Sequence, residues 1–130
     1  MKRKEGSVAA RRSGPLRVLF LCSRNRRRSP TAEQLFADWP GVETASAGLA
    51  PDADEVVTAE HLEWAELIVV MEAVHRRRLQ RRFGPLLRHA RVVALDIPDD
   101  YAFGDPALVA LLERRGMPLL PHRKIAPVVA

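Results

Sequence analysis

The stretch LRVLFLCSRNRRRSP, residues 16–30, contains the sharpest change of character in the chain. Its first seven residues, Leu16–Cys22, form a short apolar run, which is typical of a strand buried on both faces of a sheet. Four arginines follow within six residues of Cys22. Ser29 is a good N-cap and Pro30 suits the first turn of a helix, so the sequence predicts a strand, a basic loop and then a helix.

Downstream of this stretch, apolar runs alternate with segments of helical periodicity. Further strands are predicted over residues 42–47, 67–71 and 91–95, and further helices over residues 58–64 and 72–83 and from Asp105-Pro106. Strands separated by helices indicate a three-layer α/β fold, a four-stranded parallel sheet with helices on both faces. Ligands bind such sheets beyond the carboxyl ends of the strands, so Cys22 and the loop 96–101 are expected at one edge.

Length and composition bound the class of protein. The 130 residues, 47% of them hydrophobic and 28% charged, suit one globular domain. We expect a flexible basic tail over residues 1–14, the α/β domain over 15–116 and an irregular tail over 117–130. No secretion signal or membrane-spanning run is recognised, and a single cysteine cannot form an internal disulfide, so a cytoplasmic location is expected.

Positive charge is concentrated at the N-terminal end. The formal net charge is +5, but residues 1–28 hold ten basic residues and one acidic residue, so the remainder is net acidic. Such asymmetry is typical of a chain with an anionic partner at that end, such as nucleic acid, acidic lipid or phosphate. For residues 1–14, a solvated basic tail is the preferred interpretation.

The segment from Cys22 to Ser29 combines a nucleophile with an anion-binding loop. Cationic neighbours and the N-terminus of the following helix both favour a thiolate over a thiol. The loop amides and a guanidinium are donors for an oxyanion with three or more oxygens. In the spacing C-S-R-N-R-R-R-S, Arg28 can close over a phosphate with a bidentate fork. Attack on a phosphate ester is therefore indicated.

At this point the sequence resembles the low-molecular-weight protein tyrosine phosphatase family. The first block of matching residues is the most specific, and the match extends over roughly residues 16–115. The matching positions are residues 18–22, Asn25, Arg28-Ser29-Pro30, Ala32-Glu33, Ser46-Ala47-Gly48 and residues 97–101. The resemblance implies the phosphotyrosine phosphatase I-like fold and a hydrolase that needs neither metal nor cofactor.

The resemblance also implies a role for each matched position. Cys22 would be the nucleophile that forms a cysteinyl-phosphate, and Arg28 would bind the phosphoryl oxygens. Ser29 would donate to the departing sulfur, while Asn25 and Ser46 would form a pair that holds the loop in shape. The amides of residues 23–28 complete the phosphate site, whose members are Ser23, Arg24, Asn25, Arg26, Arg27 and Arg28.

The general acid has three candidates. Alignment on Ile97-Pro98 makes it Asp99, with Asp100 as a second choice and supporting residue. The family's Asp-Pro could instead be Asp105-Pro106, but that pair reads better as the start of a helix. An acid in this loop would protonate the leaving phenolate and then activate water.

The chain departs from the family pattern at several positions. Arg24 stands where a glycine is usual, so the loop is either strained there or its arginine points outward. Arg27 replaces a second cysteine, which removes a protective disulfide. The segment after Gly48 has no aromatic residue to form one wall of a phosphotyrosine pocket, whereas Tyr101 can supply the other.

Two readings of function follow. The first is a phosphomonoester hydrolase that acts on a phosphorylated protein or a small aryl phosphate and releases inorganic phosphate. The alternative is a weak or inactive module that binds phosphate or nucleic acid. The five arginines within residues 76–82 suit nucleic acid or an acidic protein, but solvated charge is preferred because no aromatic residues alternate with them. A nucleic-acid partner is therefore disfavoured, and no membrane partner is expected.

Overall fold

The computed structural model describes residues 14–121. Four strands and four helices alternate along the chain, and two short 3₁₀ turns, Gly84–Leu87 and Met117–Leu119, each follow a helix. The strands are β1 (Leu16–Cys22), β2 (Val42–Gly48), β3 (Leu67–Val70) and β4 (Arg91–Ala94). The helices are α1 (Arg28–Phe36), α2 (Ala59–Trp64), α3 (Ala73–Phe83) and α4 (Pro106–Gly116).

All four strands run parallel, in the order β2-β1-β3-β4. The apolar β1 has a hydrogen-bonded strand on each side, which explains why its sequence does not alternate between apolar and polar residues. Cys22 lies beside Gly48 and Leu21 beside Val70, so the carboxyl ends of the three strands meet at one edge. Cys22 therefore lies at the carboxyl edge of the sheet, where the sequence predicted it.

Alternate β1 side chains contribute to two apolar cores. Val18, Phe20 and Cys22 pack with residues of α1 and α4, while Leu19 and Leu21 pack with residues of α2 and α3. The sheet is thus covered on both faces, and the predicted three-layer α/β fold is confirmed. Among the described residues, no helix is both long and apolar enough to cross a bilayer.

The start of α1 differs from the prediction, because the side chain that was expected to cap this helix makes its contact with Cys22 instead. The helix α1 begins at Arg28, and the N-cap position is Arg27, which makes no side-chain capping bond. Ser29 was expected to cap this helix, but its hydroxyl is turned toward Cys22. By contrast, Thr58 caps α2 and Asp105 caps α4 through their side chains, at or next to the residues where the sequence predicted these helices to begin.

The chain after α4 returns to the body of the protein. Leu119 and Leu120 pack against the core on the α1 and α4 side, and the indole Nε1 of Trp39 donates to the carbonyl of Pro121 over 2.9 Å. Residues 1–13 and 122–130 lie outside the described part of the chain. The two predicted tails therefore remain expectations for most of their length.

Candidate active site

The loop between β1 and α1 forms a concave ring of backbone amides. The carbonyls of three consecutive loop residues are held by the segment after β2: Cys22 accepts from Leu49 N (3.0 Å), Ser23 from Ala50 N (2.8 Å) and Arg24 from Asp54 N (3.0 Å). The C=O and N–H of a trans peptide point in opposite directions, so the amides of residues 23–25 face the inner side of the loop. The Asn25 amide accordingly donates to Cys22 Sγ over 3.3 Å.

Gly48 allows this loop to pack against the end of β2. A Cβ at Gly48 would stand 2.6 Å from both the Ser23 carbonyl oxygen and the Ala53 Cβ. Heavy atoms do not approach that closely, and a backbone carbonyl cannot swing aside. Glycine is therefore required at this point by close packing, because its φ is not in the left-handed region.

Asn25 holds the loop in shape with a partner other than the one predicted. Its backbone is left-handed, with φ of 59°, and its Nδ2 donates to Ser29 Oγ over 2.9 Å. The expected pairing of Asn25 with Ser46 is wrong. The side chain of Ser46 faces α1, where its Oγ donates to Glu33 Oε1 over 2.5 Å. Ser46 therefore ties β2 to α1 instead of supporting the loop.

Cys22 Sγ lies at the bottom of the ring and is almost fully buried, with 3% of the residue exposed. The hydroxyl of Ser29 is 3.0 Å from the sulfur. Since that hydroxyl accepts from Asn25, its own proton has two acceptors within reach, the sulfur and the Ala47 carbonyl at 3.4 Å, of which the sulfur is nearer. Two donors thus converge on Cys22, and both stabilise a thiolate.

Arg28 is a buried cation whose partners come from two distant segments. Only 3% of the residue is exposed. Its Nη1 donates to Glu72 Oε2 and, over 2.7 Å, to the carbonyl of Ile97, while Nε lies 3.7 Å from Asp99 Oδ1. A buried charge needs such compensation, so Glu72 fixes the guanidinium beside the loop. Sequence reasoning missed Glu72, whose only signal was its place two residues after the end of β3.

His75 supports the loop from the first turn of α3. Its Nδ1 accepts from the Glu72 amide over 3.1 Å, so Nε2 carries the ring proton and donates to Ser23 Oγ over 3.1 Å. Burial and, to a smaller extent, the nearby Arg28 cation lower the pKa of His75 from 6.5 to about 4. The ring is therefore neutral at pH 7. The sequence had suggested only a surface or satisfied histidine here.

The ring opens into a cavity of about 320 Å³. Its lining comprises one acidic residue and six residues of the loop: Asp99, Cys22, Ser23, Arg24, Arg26, Arg27 and Arg28. Thus Asp99 is the candidate acid that reaches the cavity, whereas Asp100 is exposed outside the lining and Asp105 caps α4. Tyr101 is partly buried against the core, and no aromatic side chain of the described residues lines the cavity, so an aromatic wall at Tyr101 stays a prediction.

The three arginines at the mouth of the cavity are each paired with an acid. Arg26 Nε lies 3.0 Å from Asp54 Oδ1, Arg24 Nε lies 3.6 Å from Asp52 Oδ2, and Arg27 Nη1 lies 4.0 Å from Asp99 Oδ1. Arg24 has no positive φ and its side chain is 60% exposed. Of the two outcomes expected for an arginine in place of glycine, the outward one is found.

Thr31 links the loop that carries Asp99 to the loop between β1 and α1, residues 23–27, which we call the phosphate loop after its proposed ligand. Its hydroxyl donates to the carbonyl of Arg27 over 2.6 Å and accepts from the amide of Gly104 over 3.0 Å. Together with the bond from Arg28 to Ile97, this contact fastens both ends of the loop that carries Asp99. The position of the acid is therefore set by α1.

Comparisons with known proteins agree with this geometry. No family model matches the chain. The protein-arginine-phosphatase of Geobacillus stearothermophilus is 30% identical over 93 residues, a match that covers 53% of this chain and 63% of that protein. The solved structure of the YwlE arginine phosphatase from that organism is 25% identical, with a TM-score of 0.62 and coverage of 81% of this chain and 93% of its own.

The chain is similar in sequence and in fold to the low-molecular-weight protein tyrosine phosphatases. Wzb of Vibrio vulnificus, solved with benzylphosphonate, shares this phosphatase fold with a TM-score of 0.66 and 24% identity, covering 82% of this chain and 97% of its own. A low-molecular-weight phosphotyrosine phosphatase of Vibrio cholerae O395 has a TM-score of 0.65 and 19% identity over 80% of this chain and 94% of its own. The family resemblance seen in the sequence is confirmed.

Proposed function

We propose that this chain, which resembles the low-molecular-weight protein tyrosine phosphatases, hydrolyses phosphomonoesters of proteins through a covalent intermediate on Cys22. The observation that carries the proposal is the position of Cys22 Sγ, which lies under the inward amides of its own loop and within 3.0 Å of Ser29 Oγ. A thiolate there has donors around it and an open cavity above it. That combination suits attack on a bound phosphoryl group.

In the first step, the Cys22 thiolate attacks phosphorus, an S–P bond forms and the bond to the leaving oxygen breaks. Arg28 and the loop amides carry the charge that develops on the phosphoryl oxygens. Asp99 supplies a proton to the leaving oxygen. When the phosphoryl group is bound, Arg28 turns part of its donor set from Asp99 to the phosphoryl oxygens.

In the second step, water attacks the cysteinyl-phosphate and gives a proton to the Asp99 carboxylate. The P–S bond breaks, inorganic phosphate leaves and the thiolate is restored. Ser29 donates to the departing sulfur and so stabilises the charge that returns to it. Neither step calls for a metal or a cofactor.

The protein-phosphate substrate is supported by the relatives named above, of which one is a protein-arginine-phosphatase. The substrates to compare are accordingly phosphotyrosine peptides, in which the P–O bond to a phenol breaks, and phosphoarginine peptides, in which the P–N bond breaks and the leaving guanidine nitrogen takes the proton. We also infer a reducing, cytoplasmic compartment, because the reaction requires a free thiol.

The test is turnover of p-nitrophenyl phosphate in the presence of EDTA. Wild-type protein is expected to release p-nitrophenolate, and Cys22→Ser is expected to lose at least ~10³-fold in kcat, because a serine hydroxyl is not ionised at neutral pH. The chain has one cysteine, so one equivalent of iodoacetate should inactivate it, with protection by phosphate. Turnover that persists in Cys22→Ser would refute the mechanism.

A further inference from the structure

The outer surface of α3 carries positive charge that the fold does not neutralise. Arg77, Arg78, Arg81 and Arg82 are all exposed, and within residues 14–121 no carboxylate oxygen lies within 4.0 Å of their nitrogens. From residue 73 to residue 95 the sequence contains seven arginines and no acidic residue. The arginines at the mouth of the cavity differ, because each of them has an acidic partner.

These four residues form one continuous band on the helix. At 3.6 residues per turn, the four positions are neighbours around the helix axis, and the buried His75 lies at one edge of the band. We refer to Arg77, Arg78, Arg81 and Arg82 as the α3 basic surface.

The α3 basic surface borders the candidate active site at two points. His75, at its edge, donates to Ser23 in the phosphate loop. Arg82 Nη1 donates to the carbonyl of Leu49 over 2.9 Å, and the Leu49 amide in turn holds the Cys22 carbonyl. One end of the α3 basic surface, at Arg82, therefore lies against the segment that supports the loop, and His75 on the same helix contacts the loop itself.

We propose that the α3 basic surface binds an acidic segment of the phosphorylated protein, next to the residue that is dephosphorylated. The inference rests on the proposed function and adds a determinant of substrate choice. Residues 75–82 span about 10 Å of helix, and an extended peptide advances about 3.3 Å per residue, so three successive residues match that length. Arginine forks pair with carboxylates in planar, bidentate geometry.

Two other anionic partners fit this surface less well. Single-stranded nucleic acid needs exposed aromatic rings for stacking, but Phe83 packs partly into the core with Arg82 over its ring at 4.9 Å. A membrane surface needs an apolar face to insert, but Leu79 is fully buried and the large exposed apolar residues, Phe103 and Met117, lie outside α3. Binding of an acidic polypeptide requires only exposed positive charge, which this surface has.

The experiment compares two phosphotyrosine peptides of equal length that differ only in their flanking residues, Asp/Glu in one and Asn/Gln in the other. At low ionic strength, wild-type protein is expected to prefer the acidic peptide about tenfold in kcat/KM, mainly through KM. The variant Arg77→Gln/Arg78→Gln/Arg81→Gln should reduce that preference to less than about twofold. It retains Arg82, which supports Leu49 and Phe83.

A control of equal charge change is available elsewhere on the chain. Arg88→Gln/Arg91→Gln/Arg114→Gln removes three exposed arginines that lie outside α3 and should retain the preference for the acidic peptide. An equal preference in wild type and in the α3 variant would overturn the proposal. So would a loss of preference that is as large in the control variant.

A binding measurement separates this proposal from the proposed function. Fluorescence anisotropy of a labelled, unphosphorylated acidic peptide with the full chain should give a Kd that is at least about fivefold weaker for the α3 variant. If neither phosphopeptide is hydrolysed but this difference is found, the docking surface stands and the phosphatase proposal fails. Equal Kd values, or tighter α3-dependent binding of a single-stranded RNA, would overturn the assignment of an acidic polypeptide.

Discussion

A cysteine at the end of a buried strand is usually a small packing residue, and at Cys22 the neighbouring donors change that. Its loop amides point inward because the loop carbonyls are bonded outward to residues 49–54. The sequence showed the nucleophile, the arginine and the hydroxyl because all three lie within eight consecutive residues. It did not show Glu72 and His75, whose partnership with the loop arises only when β3 pairs beside β1.

The proposed role of Asp99 as proton donor predicts a dependence on the leaving group. Asp99→Asn should lower kcat about 10²-fold for phenyl phosphate, because a poor leaving group needs the proton. The loss should be about tenfold for p-nitrophenyl phosphate, whose leaving group is stable as an anion. Steady-state kinetics over a series of aryl phosphates measures this.

Asp100→Asn is the matched control, since Asp100 is exposed and lies outside the cavity lining. Its kinetics should stay close to those of the wild type for every ester. Equal losses across the series in Asp99→Asn would exclude Asp99 as the general acid.

His75 predicts a specific loss of stability in acid. The unfolded imidazole binds a proton below its ordinary pKa of 6.5, but burial and Arg28 lower the folded pKa to about 4. The unfolded state therefore gains protons first, and the fold loses stability as the pH falls from 6.5 toward 4. Arg78 acts in the same direction as Arg28, while Glu72 and Asp99 oppose them. Relative to pH 7, this linkage costs about 2 kcal/mol at pH 5.

Urea unfolding at pH 7 and pH 5 measures that cost. His75→Gln removes the titrating group and should lose about 2 kcal/mol less than the wild type over this interval. If both proteins lose the same free energy of unfolding, protonation of His75 is not the cause.

At the scale of elements, the phosphate loop depends on the close approach of β2. Gly48→Ala places a methyl group 2.6 Å from the Ser23 carbonyl and the Ala53 Cβ. Because backbone must move to admit it, the free energy of unfolding should fall by about 2 kcal/mol, and kcat should fall as the loop is displaced. Chemical denaturation and p-nitrophenyl phosphate turnover measure the two effects.

Gly84→Ala provides the comparison, since a Cβ there meets nothing within 4 Å and φ is −36°. Its stability should be unchanged or slightly raised. Similar losses in both variants would mean that helix or chain entropy, and not contact with the loop, governs the effect.

The strands and helices were predictable because each carries its own signal. The apolar runs become strands that are central or covered by helices, and Thr58 and Asp105 cap their helices as their positions indicated. The start of α1 was less predictable, since Ser29 has the chemistry of a cap but bonds to Cys22. When a side chain has two suitable hydrogen-bond partners, tertiary packing determines which of them it bonds to, and local sequence carries no information about that packing.

At the scale of the whole molecule, the sheet order brings segments from four parts of the chain to one edge. The phosphate loop, the segment after β2, the start of α3 and the loop after β4 all contribute to the site. The parallel alternation of strands and helices predicted that edge. The direction of individual side chains there was not predictable, and Ser46 turns toward another contact.

At the scale of the whole molecule, the arginines also fall into two groups, those with an acidic partner and those without one. At the cavity mouth each arginine has an acidic partner, so the positive charge around the proposed phosphate site is compensated by carboxylates. On α3 they stand without acidic partners within residues 14–121. The sequence favoured solvated charge for residues 76–82, and the position of that band beside the phosphate loop is what supports a docking role.

The central claim, a phosphoryl group carried on Cys22, is tested most directly by trapping it. Asp99→Asn, which should slow the release of phosphate, is mixed with p-nitrophenyl phosphate, quenched rapidly and digested for mass spectrometry. The account predicts one phosphoryl group on the peptide that contains Cys22, formed no more slowly than turnover. Turnover without that adduct, or with the phosphoryl group on another residue, would contradict it.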